Sequence, residues 1–112
     1  VFFFGGLGCS FRYATSKFLT FQSSVPLATL VVNVIGSLVL SYLLFSGEKL
    51  NLSPSMRVAI TTGMLGGFTT FSTFSHQTMD YITSGNTMMA FLNILLNVTL
   101  CLVSSYLGFK LA

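Results

Sequence analysis

Apolar residues run along this chain in four long blocks separated by short polar breaks. The first extends from Val1 to about Phe21 and holds Arg12 and Lys17. Pro26 opens the second, LATLVVNVIGSLVLSYLLF, which continues to Phe45; proline suits the first turn of a helix. The most polar stretch, SGEKLNLS at Ser46 to Ser53, comes next, and Pro54 again stands where a helix would start. The third block covers Ser55 to about Ile82, Ser84-Gly85-Asn86 signals a turn, and the fourth fills Thr87 to Leu111. At about 20 apolar residues per span, the pattern predicts an all-α integral membrane protein. It has four transmembrane helices in one unit, residues 1–112, with no room for a separate soluble domain.

Composition sharpens this. Charged residues make up 6% of the chain and hydrophobic ones 53%, with a mean hydropathy of +0.84, against about 25% charged residues in an average soluble domain. A water-soluble monomer is thereby excluded. The five basic residues are scattered and make no nucleic-acid footprint. Cys9 and Cys101 lie in apolar stretches without metal-ligand spacing. The first block passes into glycines and Arg12 with no cleavage pattern, so it reads as a span and not as a signal peptide. With four spans, Lys49, Arg57 and Lys110 share one side and Arg12 and Lys17 the other. So small a difference is almost no orientation signal, which permits insertion both ways and an antiparallel homodimer.

The third block carries the most chemistry. Thr61 to Ser75 reads TTGMLGGFTTFSTFS, with three glycines and seven hydroxyl residues in fifteen positions. Glycine is costly inside a helix, and clustered serine and threonine compete for backbone hydrogen bonds. The expectation is a helix broken near Gly66 to Thr70, its freed carbonyls open to a cation and its hydroxyls to an anion. Irregular backbone at membrane depth needs protein or a wet cavity around it. Gly63 and Gly67 also form a GxxxG pair suited to close helix packing, and both readings can hold together. Phe68, Phe71 and Phe74 recur every three residues, which places them on one face of the second half-helix. Their positive ring edges can meet an anion, or they pack as ordinary core or lipid-facing residues.

Three further places are polar where apolar residues would be expected. Asn33 lies in the middle of the second block, where an amide needs a partner or a task. Asn93, Asn97, Cys101 and Ser105 form an i, i+4 stripe, either a wet track or a helix seam. Arg12 lies inside an apolar block, either in a vestibule or snorkelling to headgroups. Enzyme chemistry finds little support. Ser75 and His76 are neighbours and point apart on a helix, while His76 and Asp80 make at most a local pair. The only acids are Glu48 in a loop and Asp80 near a helix end, which weighs against a proton-coupled cation or drug antiporter. A third reading is a non-conducting partner subunit.

These residues resemble the Fluc (CrcB-type) fluoride channels over nearly the whole chain. GGLGCSFRY at Gly5 to Tyr13 is similar to the family's first-helix signature. PLATLVVNVIG at Pro26 to Gly36 resembles its second-helix motif, and TTGMLGGFTTFSTF at Thr61 to Phe74 its third-helix hallmark. The resemblance implies an antiparallel dual-topology dimer in the bacterial inner membrane, with two fluoride pores and a central structural sodium ion. By position, Gly66 and Thr69 would hold sodium through backbone carbonyls. Phe71 and Phe74 would line the pore with Asn33, and Arg12 would lie toward the vestibule. Thr70, Ser72 and Thr73 are candidate pore donors, and Asn93, Asn97 and Ser105 a polar track. The implied task is passive export of cytoplasmic fluoride, by a homodimer or by a heterodimer with a paralogue. Ala28, Gln77, Asn93 and Asn97 depart from the glycine, glutamate, and tyrosine or serine frequent at those positions.

Overall fold

The computed structural model describes residues 1–19 and 26–112, and every regular element among them is helical. Helix α1 (Phe2–Leu19) comes first, and its expected end at Phe21 lies outside the described residues. Helix α2 (Leu27–Phe45) begins directly after Pro26. It stops where Ser46 turns its backbone N–H and its hydroxyl onto the Tyr42 carbonyl. A 3-10 turn (Gly47–Leu50) follows, entered through Gly47 at φ 55°. The Arg57 guanidinium donates to the Gly47 carbonyl and so clips the loop to the next helix. Ser53 accepts a hydrogen bond from the Met56 N–H at 3.2 Å and caps α3 (Pro54–Val58).

The third block is the irregular one. Helix α3 passes into a π-helical stretch (Ala59–Leu65), then a short α4 (Gly66–Phe68). After two extended residues, Thr69 and Thr70, the chain resumes as α5 (Phe71–Thr83). The turn at Ser84-Gly85-Asn86, with Gly85 at φ 83°, leads to α6 (Thr87–Leu111). Two helices, Leu27–Phe45 and Thr87–Leu111, are long and apolar enough to cross a membrane by length and composition. The third block fails that test as a single rod because it is written in pieces.

Packing is inverted relative to a soluble protein. Among the described residues the buried hydrophobic ones are Val32, Leu65, Phe74 and Ala90, whereas seven polar ones are buried: Thr29, Ser46, Thr70, Thr78, Asn93, Asn97 and Ser104. Large apolar side chains such as Phe2, Phe18, Phe71 and Leu102 point outward instead. Such an exterior suits lipid or another apolar partner, and inside it Thr70, Thr78, Asn93 and Asn97 hydrogen-bond within the chain. The chain is a helical membrane protein.

Helix α1 lies against the π stretch and α4, backbone on backbone. A methyl at Gly8 would land on the Met64 carbonyl, and one at Gly67 would sit 2.6 Å from the Gly5 carbonyl. The GxxxG reading therefore holds: Gly63 and Gly67 face α1, with a Gly63 methyl 2.9 Å from the Val1 carbonyl. Helix α2 runs along α6, and Gly108 presses so closely on Leu38 and Tyr42 that no side chain fits. A methyl added at Gly6, by contrast, would meet nothing within 4 Å. Gly8→Ala should therefore lower the thermal midpoint in detergent sharply, by about 3 kcal/mol or more of overpacking. Gly6→Ala should leave it unchanged or raise it slightly, since alanine is the better helix former by about 1 kcal/mol.

Candidate functional site

The break at Thr69 and Thr70 is built from side chains that replace the helix's own hydrogen bonds. Thr69 takes ψ 160°, which turns the Thr70 N–H away from the Gly66 carbonyl. It goes instead to Asn33 Oδ1 at 2.8 Å, while Asn33 Nδ2 donates to the Thr70 carbonyl at 3.1 Å. One amide on α2 thus satisfies both backbone groups of the interrupted residue. Thr70 Oγ1 accepts from the Thr73 N–H at 3.2 Å and caps α5. In an unbroken helix those two N–H groups would go to the Gly66 and Thr69 carbonyls. The break releases both carbonyls from those donors.

Thr69 is seated by a notch. A methyl at Gly36 would collide with Thr69 Cγ2, and its other neighbours lie at an ordinary 3.6 Å. Gly66 differs from Gly63 and Gly67, because its nearest neighbour to a methyl is 4.0 Å away and it is exposed. Packing within the chain accounts for the flanking glycines and leaves Gly66 open.

Phe71 and Phe74 stand together beyond the break, ring centroids 5.4 Å apart. Phe71 is 77% exposed and Phe74 8%. Phe68 does not join them. It ends α4 on the other side of the break and approaches Gly36, because two extended residues reset the helical phase before Phe71. Phe71, Phe74, Asn33, Thr70 and Asn97 line a cavity of about 370 Å³. A second cavity, about 350 Å³, is lined by Arg12, Thr29, Thr70, Thr73 and Gln77 among others. Thr70 is the residue common to both walls. Gln77 Oε1 is buried there without a hydrogen-bond partner among the described residues. Arg12 is half-buried, its guanidinium 3.8 Å from Cys9 Sγ.

The polar side chains of α6 are partly where the stripe puts them. Asn93 and Asn97 are buried, but the buried line continues through Ser104 and Gly108, and Ser105 is only half-buried. Each i, i+4 step over-rotates by about 40°, so three such steps carry Ser105 away from the seam. Ser72 Oγ lies 3.3 Å from Thr70 Oγ1, and Thr73 Oγ1 accepts from it at 3.1 Å. Thr78, which the motifs pass over, is buried and bonded to Asn93. Its position four residues after Phe74 is the available signal. His76 and Asp80 form an exposed pair at 3.4 Å, and Ser75 donates to the Phe71 carbonyl.

The family described as "CrcB-like protein, Camphor Resistance (CrcB)" matches residues 1–109. The chain belongs to the CrcB family. Relatives from Shewanella sp. (strain W3-18-1) and Shewanella putrefaciens, both named "Fluoride-specific ion channel FluC", are each 44% identical over 109 residues. That stretch covers 96% of this chain and 88% of each relative. A relative of the same name from Shewanella woodyi is 43% identical over the same length. The CrcB family is one of ion channels and not of enzymes.

Two stability tests follow from the break of this CrcB-family chain. Asn33→Ala leaves the Thr70 N–H and carbonyl unpaired and should cost about 2–4 kcal/mol in a denaturation titration. Gly36→Ala should cost about 1–3 kcal/mol by overpacking. Adding Thr69→Ser, which deletes the colliding methyl, should restore most of that loss. A double-mutant cycle showing no coupling would contradict the notch.

Proposed function

We propose that this chain is a fluoride-selective channel subunit that lets cytoplasmic fluoride leave down its electrochemical gradient. The observation that carries this reading is the break at Thr70. It joins the wall of a cavity lined by Arg12 to that of a cavity edged by Phe71 and Phe74. Arg12 attracts the anion electrostatically. Thr70, Ser72 and Thr73 supply hydroxyls as fluoride loses water, and the phenylalanine edges present weak positive charge without trapping it. The names of the relatives support fluoride as the transported ion.

In this proposal the four apolar blocks span the inner membrane, the third as two half-helices, and two copies associate antiparallel. Each dimer then holds two pores. Asn93, Asn97 and Ser105 flank the pathway from α6. A structural sodium ion fits the donors present. Gly66 and Thr69 have carbonyls released from helical partners, Gly66 is open to approach, and the described residues offer no cluster of three His, Cys, Asp or Glu. Carbonyl oxygens of unwound helices suit an alkali cation. When bound, sodium would supply positive charge beside the broken backbone.

The test is fluoride efflux from liposomes holding the purified protein, read by an electrode with chloride as control. Rapid fluoride release with little chloride is expected. Phe71→Ile, at an exposed position that folding does not need, should cut the flux at least about tenfold while the protein stays folded. Normal conduction by Phe71→Ile and Phe74→Ile together would place the pathway elsewhere.

A further inference from the structure

We infer that Asn97, Asn93 and Thr78 form a one-way hydrogen-bond relay that locks the orientation of the Asn33 amide, and that they serve conduction as positioning residues. The conduction half of this inference rests on the proposed channel activity. The locking half does not.

The relay begins and ends on backbone groups of fixed polarity. The Thr70 N–H can only donate, so Asn33 turns its oxygen to it, and its Nδ2 must face the other way. Nδ2 donates to the Thr70 carbonyl and to Asn97 Oδ1 at 3.2 Å. Asn97 therefore presents its nitrogen to the Asn93 carbonyl at 3.0 Å and to Asn93 Oδ1 at 3.1 Å. Asn93 Nδ2 in turn reaches Thr78 Oγ1 at 3.0 Å, and the Thr78 hydroxyl donates to the Phe74 carbonyl at 2.8 Å. A carbonyl can only accept. Every amide orientation is thus forced from both ends.

Burial makes the arrangement strict, because Asn93, Asn97 and Thr78 are 3%, 5% and 7% exposed. In a poorly polarisable interior, linked hydrogen bonds reinforce one another, and a missing link leaves a costly unpaired group. The relay ties α2, α5 and α6 to the break, and it uses both N–H groups of Asn33 and both of Asn97 on protein acceptors. Asn33 and Asn97 touch the phenylalanine cavity, whereas Asn93 and Thr78 do not line it. An effect on conduction that depends on the Thr78 hydroxyl therefore travels through the hydrogen bonds and not through direct contact with that cavity.

Thr78→Val keeps the shape and removes both hydrogen-bonding functions, and Thr78→Ser keeps both functions. Each variant is read in two ways: amide hydrogen exchange at Thr70 in detergent, and fluoride efflux from liposomes. Thr78→Val should speed Thr70 exchange and slow efflux, each by about tenfold. Thr78→Ser should stay within about threefold of the unaltered protein in both. Unchanged exchange in Thr78→Val overturns the relay. Faster exchange with unchanged efflux overturns the positioning role alone, and a serine variant as impaired as the valine one shows that shape, not polarity, matters. Asn97→Thr against Asn97→Val repeats the comparison should either Thr78 variant fail to fold. An unaltered protein with slow Thr70 exchange but no fluoride release overturns the channel reading, and the exchange comparison still decides the relay.

Discussion

The paired hydrogen bonds between the Asn33 amide and the Thr70 backbone are the constraint on which the rest of the site depends. A helix broken inside an apolar environment exposes N–H and C=O groups that cost several kcal/mol each when nothing meets them. Asn33 meets both groups of one residue from another helix. Thr70 then has the freedom to cap α5 with its own hydroxyl, and the Gly66 and Thr69 carbonyls lose their helical donors as a consequence. Cap, released carbonyls and the placing of Phe71 and Phe74 therefore have one common origin.

That origin explains why so polar an interior coexists with so apolar a surface. In lipid, burying methyl groups between helices gains little, since the tails outside are as apolar as the side chains within. What holds the helices is close approach and mutual satisfaction of polar groups. Glycines supply the first, with Gly8, Gly63 and Gly67 bringing α1 against the third block and Gly108 bringing α6 against α2. Thr70, Thr78, Asn93 and Asn97 are buried, and each has hydrogen-bonding work there. Phe71 stays exposed because its position follows from the helix phase that Thr70 sets, not from a need to hide a ring.

Much of this is legible from residue types. The glycine and hydroxyl crowding between Thr61 and Ser75 foretells the break, Ser84-Gly85-Asn86 the turn, and the i, i+4 spacing of His76 and Asp80 their local pair. What escapes depends on phase and on depth of contact. Period counting groups Phe68 with Phe71 and Phe74 because it assumes an unbroken helix, and two extended threonines cancel that assumption. Counting by i, i+4 makes Ser105 the end of a stripe because it ignores the slow rotation of that stripe around the helix. Gly36 appears in the sequence only as the end of a motif, and it is the seated Thr69 methyl that shows why a side chain is forbidden there.

The two asparagines on α6 decide which donors are left for an ion. A hydroxyl at either position could pass a hydrogen bond onward with one donor and one acceptor, but an amide brings two donors and must place both. Asn97 places both on Asn93, and Asn93 directs at least one to Thr78. The α6 amides thus face inward to each other and to Asn33 rather than offering donors to the phenylalanine cavity. Groups free to exchange partners remain on the third block itself, where the Ser72 and Thr73 hydroxyl oxygens lie 3.3 and 3.1 Å from that of Thr70. Hydroxyls reorient by a single bond rotation, whereas a locked amide must break two hydrogen bonds to turn. In the proposed channel these reorientable hydroxyls are the donors left to meet fluoride, against a fixed frame of amides behind them.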